Sequence, residues 1–119
     1  MSQFISLQQA IDMTTLYRAE KENILANAYK GQNILARCET FDREIFDTLL
    51  AKEGCASIRI YYGMDSSLKV HAIVVAVNGD DEDMLPAVSV SMVSGDEEDI
   101  GENAYRCPEE CPPSSDLNP

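Results

Sequence analysis

The chain has 119 residues, of which 45% are hydrophobic, and carries a formal net charge of −12. That length suits a single domain around one core, and that composition excludes a globally disordered chain. With no Trp and only 7% aromatic residues, the core is expected to be aliphatic.

The charge is unevenly placed. Residues 78–119 hold twelve acids against one base, Arg106, giving −11, whereas residues 1–77 hold nine acids and eight bases, giving −1. Such a surface repels phosphate, so no nucleic acid and no membrane is expected as a partner. Cations or basic proteins suit it better, and a solvated acidic face is the plainer reading. The longest apolar run, residues 72–77, is far short of the roughly 20 residues of a membrane helix. The opening Met-Ser-Gln-Phe-Ile-Ser lacks the basic and apolar regions of a leader, so the cytosol is the expected compartment, with thiols kept reduced.

In chain order, Ser6-Leu7-Gln8-Gln9 reads as a capping box. Leu7, Ala10, Ile11, Thr14, Tyr17 and Lys21 then follow helical spacing, with Met13, Leu16 and Ile24 widening the stripe. A helix is predicted over 7–29, stopping before Gly31, and its wide stripe can also serve a dimer interface. Residues 33–39 read as a connector. Thr40 is a good N-cap for a second helix over 41–52, with Phe41, Ile45, Phe46, Leu49 and Leu50 on one face and Gly54 beyond its end.

The period then changes to two. Residues 56–63 and 68–77 are rich in β-formers and flank Asp65-Ser66-Ser67, so they predict a hairpin. A three-residue turn pairs Met64 with Leu68, Tyr61 with His71 and Arg59 with Ile73. It places Ser57, Arg59, Tyr61, Lys69 and His71 on one face, opposite Ile58, Ile60, Tyr62, Val70, Ala72 and Val74. A further half-buried strand is predicted over 87–93, and 94–102 should be loop. The prolines after Cys107 exclude a helix or central strand, leaving an extended arm or a disordered tail.

Several marks act together: Ile-Ser-Leu-x-x-Ala-Ile-x-Met-Thr-Thr-x-Tyr-Arg from Ile5 to Arg18, Glu39-Thr-Phe-x-Arg, Gly54-Cys55 leading into Ile58-Arg-Ile-Tyr-Tyr-Gly-Met64, and Arg106-Cys-Pro-x-x-Cys-Pro-Pro113. With these the chain resembles, over nearly its whole length, a family of small uncharacterised bacterial proteins. The resemblance implies no activity and no catalytic residues. The acidic stretches 80–83 and 96–99 depart from its pattern.

Three constellations bear on chemistry. Cys107 and Cys111 are candidates for a disulfide or for two ligands of a zinc ion, with Cys38, Cys55 or His71 supplying the rest. Their Cys-x3-Cys spacing is not that of paired zinc knuckles, and a solvated tail is the plainer reading. Arg59, Tyr61 and His71 are candidate binding residues, since they combine an anion holder, a proton donor and a group that titrates near neutrality. No nucleophile stands beside them, so no catalytic residue is assigned. The acidic runs 80–83 and 96–99 do not match a calcium loop.

The expected architecture is α+β: two N-terminal helices packed on one face of a three- to four-stranded, mainly antiparallel sheet, with residues 1–105 as one domain and 106–119 as a Pro/Cys-rich tail. The expected role is a small non-catalytic binding or assembly module that needs no cofactor. It would self-associate, as a homodimer, through the long helix or a sheet edge, or bind a protein partner. The alternative is a metal-binding or thiol/disulfide protein using Cys107 and Cys111. A hydrolase-like enzyme built around His71 ranks third.

Overall fold

Ser6 opens the first helix as the sequence predicts. Its hydroxyl accepts the Gln9 N–H at 3.0 Å while the Ser6 N–H donates to Gln9 Oε1 at 2.8 Å, closing the capping box. In the computed structural model, which describes residues 3–86 and 99–119, α1 spans Leu7–Glu20 rather than 7–29. Asn23 accounts for the early stop. Its Nδ2 donates to the Ala19 carbonyl at 3.4 Å and to Glu20 Oε2 at 3.1 Å, taking the acceptor that a continuing helix would offer its backbone. A 3-10 turn at Asn27–Tyr29 follows. The half-buried positions of the helix include Ala10, Ile11, Thr14 and Tyr17, as expected, whereas Leu7, Met13, Leu16 and Ile24 are exposed.

The next element, β1 (Cys38–Thr40), falls in the expected connector. It takes up Thr40, so the N-cap of α2 (Arg43–Leu50) is Asp42 and the helix is shorter than 41–52. β2 (Cys55–Met64) and β3 (Val70–Asn78) form the predicted hairpin. Two very short strands complete the set among the described residues, β4 (Ile100–Gly101) and β5 (Tyr105–Cys107). β4 interrupts what was expected to be loop, and the predicted strand 87–93 lies outside the described residues. The class is thus α+β with antiparallel pairing. Among the described residues the strands divide between two sheets, ordered β2-β3-β4 and β1-β5, instead of joining one.

The hairpin register differs from the expected one by two residues. Met64 pairs with Val70, Gly63 with His71, Tyr61 with Ile73 and Arg59 with Val75. Asp65 is the cause: its Oδ1 accepts the Ser67 N–H at 2.8 Å and the Lys69 N–H at 3.1 Å, and its own N–H donates to the Lys69 carbonyl at 3.0 Å. Leu68 takes φ 67° to close this wider turn. A shift of two preserves both faces of the hairpin, but it changes which side chains meet.

On the even-numbered face, Leu49 of α2 packs with Val74 and Ala76, joined by Phe41, Ile45, Phe46, Ile58 and Met84. Gly101 permits β4 to approach this core: a Cβ there would stand 2.6 Å from Val74 Cγ2 and 2.7 Å from Ile45 Cγ2. The chain divides into two compact units, one built from Met1–Cys38 with Arg106–Pro119, the other from Glu39–Tyr105. The C-terminal segment, expected to be either an extended arm lying on the domain or a disordered tail, falls within the first unit. Arg106 Nη2 donates to the Asn33 and Ile34 carbonyls at 3.2 and 3.3 Å, and the Arg37 N–H donates to the Cys107 carbonyl at 2.7 Å.

Candidate functional site

In the unit Glu39–Tyr105, the chain's single histidine gathers carboxylates from three segments. His71 Nε2 lies 2.7 Å from Asp65 Oδ2 in the hairpin turn. Its Nδ1 lies 3.4 Å from Glu102 Oε1, just after β4, and 3.8 Å from Glu39 Oε1 on β1. An open pocket of about 410 Å³ is lined by Gly63, Met64, Asp65, His71, Ile73, Glu102 and Asn103. Gly63 stands opposite His71, and the absence of a side chain there leaves room for Ile73, whose Cδ1 would be 2.7 Å from an added Cβ. The His71 hydrogen bond, followed by the Lys69 and Ser67 amides, holds the Asp65 carboxyl below its ordinary range. Among the described residues the lining contains no Ser or Cys, so these residues offer acidic oxygens around an imidazole without a nucleophile.

Arg59 and Tyr61 share that face of the hairpin but belong to a different cluster. Arg59 Nη1 donates to Asp83 Oδ1 at 2.6 Å and its Nη2 to Asp81 Oδ1 at 2.5 Å, while the Tyr61 hydroxyl donates to Asp83 Oδ2. The same hydrogen bond pushes Tyr61 above and Asp83 below their ordinary ranges, with Arg59 helping to hold Asp83 ionised against partial desolvation. The sequence pattern groups Arg59 and Tyr61 with His71 on the strength of a Tyr61–His71 pair. With the observed register, His71 meets Asp65, Glu39 and Glu102 instead. Asp65 is legible as a turn former; nothing local announces Glu39, Asp83 or Glu102. Two acids of the run 80–83 are thus engaged by Arg59, and Asp99 pairs with Lys52.

Cys107 and Cys111 are joined as a disulfide with Cα atoms 4.4 Å apart, and Cys38 and Cys55 are free. This departs from the expectation of reduced thiols, and in this form neither sulfur is available as a thiolate ligand for zinc. Among the described residues, no group of three or more His, Cys, Asp and Glu side chains is arranged to hold a metal ion.

The sheet itself presents a third feature. Among the described residues, within the order β2-β3-β4, β2 is an edge strand ten residues long. α2 has eight residues, spanning about 12 Å, whereas a ten-residue strand extends about 33 Å. The helix therefore covers only part of the even face and leaves Ile60, Tyr62 and Met64 at 51%, 80% and 60% exposure.

No family model matches the chain, and no curated protein or solved structure matches it either. Among the described residues no helix is long and apolar enough to cross a membrane.

Proposed function

We propose that this chain is a small non-catalytic assembly module in which the unit Glu39–Tyr105 pairs with a second copy along the edge of β2. The observation that carries this reading is the row of exposed apolar side chains, Ile60, Tyr62 and Met64, on a ten-residue strand that is at the sheet edge among the described residues. An edge strand presents unpaired N–H and C=O groups, and natural sheets usually blunt such edges with Lys, Pro, inward charges or brevity. β2 has no Pro, Lys or acid, and its one charge, Arg59, is already matched by Asp81 and Asp83.

A second copy suits this edge for two reasons. Antiparallel pairing of a strand with its own copy is two-fold symmetric and closes at two subunits. With a net charge of −12 on each copy, repulsion opposes contact through the acidic surfaces, whereas β2 offers a nearly neutral seam. The test is solution mass by light scattering over a concentration series, for the natural chain and for the double variant Ile60→Lys/Tyr62→Lys. The natural chain should approach twice its 13.2 kDa and the variant should stay near one copy, with equal circular dichroism. A natural chain that stays monomeric at every concentration, or a dimer indifferent to the two lysines, would refute the proposal.

A further inference from the structure

The disulfide of the other unit is chemically lopsided. Cys107 is fully buried, whereas Cys111 lies in an exposed run with Glu109, Glu110, Pro112 and Pro113. An incoming thiolate therefore meets only one of the two sulfurs. On the buried side, Asn118 directs its Nδ2 at Cys107 Sγ from 3.9 Å. That amide is held by reciprocal backbone bonds between Ser115 and Asn118, at 3.1 and 3.2 Å, and Arg18 Nη1 fixes the intervening Leu117 carbonyl at 2.7 Å. Asn118 Oδ1 is buried and takes no hydrogen bond. An amide with a buried oxygen unsatisfied and its nitrogen committed to a disulfide sulfur is costly for a purely structural contact, because such a sulfur is a weak acceptor. A thiolate is a strong one.

The geometry points to Cys107–Cys111 as a thiol–disulfide exchange site for a dithiol reductant, entered at Cys111 and assisted by Asn118 at Cys107. The thiolate of the dithiol attacks Cys111 Sγ and forms a mixed disulfide. The Cys107–Cys111 bond breaks with its electron pair leaving on Cys107, whose sulfur the Asn118 N–H holds as the thiolate. The second thiol of the reductant then displaces Cys111. The proton of that second thiol passes to Cys111, so the protein ends with a Cys107 thiolate and a Cys111 thiol, and the reductant ends as a disulfide. Asn118 is a positioning residue here, because it lowers the proton affinity of the leaving sulfur without exchanging bonds.

Reduction leaves the neighbouring backbone bonds in place, since Arg37 and Arg106 engage through the Cys107 carbonyl, Asn33 and Ile34 and not through sulfur. The event is therefore local: it opens the loop from Cys107 to Cys111 inside a unit that stays folded.

The full chain is equilibrated against dithiothreitol at graded ratios of reduced to oxidised reagent. In parallel it is treated with glutathione, a monothiol, and the mixed disulfide is located by peptide mass, which also separates Cys38 and Cys55. The disulfide should be reduced reversibly with unchanged circular dichroism, and glutathione should be found on Cys111. In Asn118→Ala the equilibrium constant for reduction should fall about tenfold, a potential about 30 mV more negative. Exchange should slow in parallel, as a poorer leaving sulfur requires. Glutathione on Cys107, reduction only in denaturant, or an Asn118→Ala variant with the natural constant would each overturn the assignment. The first two outcomes are read on the natural chain, so the assignment can fail whether or not the variant folds.

Discussion

Glu39 Oε2 accepts the backbone N–H of Ala72 at 2.8 Å, standing where a paired strand would supply a carbonyl. Among the described residues β4 pairs with β3 at Val74 and Val75; continuing that register would bring Asn103 opposite Ala72, but Asn103, at φ 68°, turns the chain away. A side chain from β1 thus finishes the ladder and brings its carboxylate to His71. We expect Glu39→Ala to cost about 1–3 kcal/mol, since it leaves a strand N–H without its acceptor. Glu39→Gln should cost less, because the amide oxygen can still accept. Urea unfolding of both variants checks the order, and equal losses would show that the charge rather than the acceptor matters.

Gly63 in β2 and Gly101 in β4 should respond differently to a methyl group. At Gly101 a Cβ meets Cγ2 branches of Val74 and Ile45, both bonded directly to their own Cβ, and Val74 is fully buried, so Val74 cannot withdraw. Gly101→Ala should destabilise by about 1–3 kcal/mol, the range for an overpacked core. At Gly63 the near atom is the far end of the half-buried Ile73 side chain, which can rotate away. Gly63→Ala should lie near the lower end of that range, and thermal unfolding of the pair reads the difference.

Leu49 is the one fully buried side chain that α2 contributes to the core. Leu49→Ala removes it from between Val74 and Ala76 and should cost about 2–5 kcal/mol, lost burial plus the cavity left behind. Hydrogen exchange should show α2 losing most of its protection. A loss below about 1 kcal/mol, less than any such truncation in a packed core, would mean that the helix is held by something else.

Stability should fall at both ends of the pH scale, with Asp83 and Tyr61 setting the windows. The folded-state pKa of Asp83 is depressed, so its contribution is present above the unfolded value, about 3.9, and is lost as pH falls through the folded one. Tyr61 is raised, so its contribution is complete below about 10 and is lost as pH climbs through its folded value. In Asp83→Asn the acid-side loss should shrink, and Tyr61, followed by its ultraviolet absorbance, should ionise closer to the ordinary range. An unchanged tyrosine titration would show that the Tyr61–Asp83 bond does not persist in solution.

What the sequence discloses follows the range of each signal. The capping box at Ser6 and Gln9 is local and legible, as are the half-buried stripe of α1 and the two long strands. The end of α1 is not, because it depends on one Asn23 side chain competing with the backbone for Ala19. The hairpin partners differ from expectation by two residues because Leu68 adopts a left-handed conformation that leucine rarely takes, at the bidding of Asp65. β1, β4 and β5, with three, two and three residues, are too short to show any period. Arg59, Tyr61 and His71 stand out by residue type, but their acidic partners come from distant positions that only the folded chain brings near.

The unit built from Met1–Cys38 and Arg106–Pro119 draws on both ends of the sequence, whereas Glu39–Tyr105 is continuous. On the ribosome the first segment must wait for the intervening stretch to be synthesised, roughly 3–13 s at bacterial and eukaryotic translation speeds. During that interval α1 is without the carbonyl of Leu117 that Arg18 later grips, and Arg37 is without that of Cys107. The internal unit has no such wait, so the nascent chain should mature from its middle outward, and premature termination before Arg106 should expose the opening helix to holding chaperones.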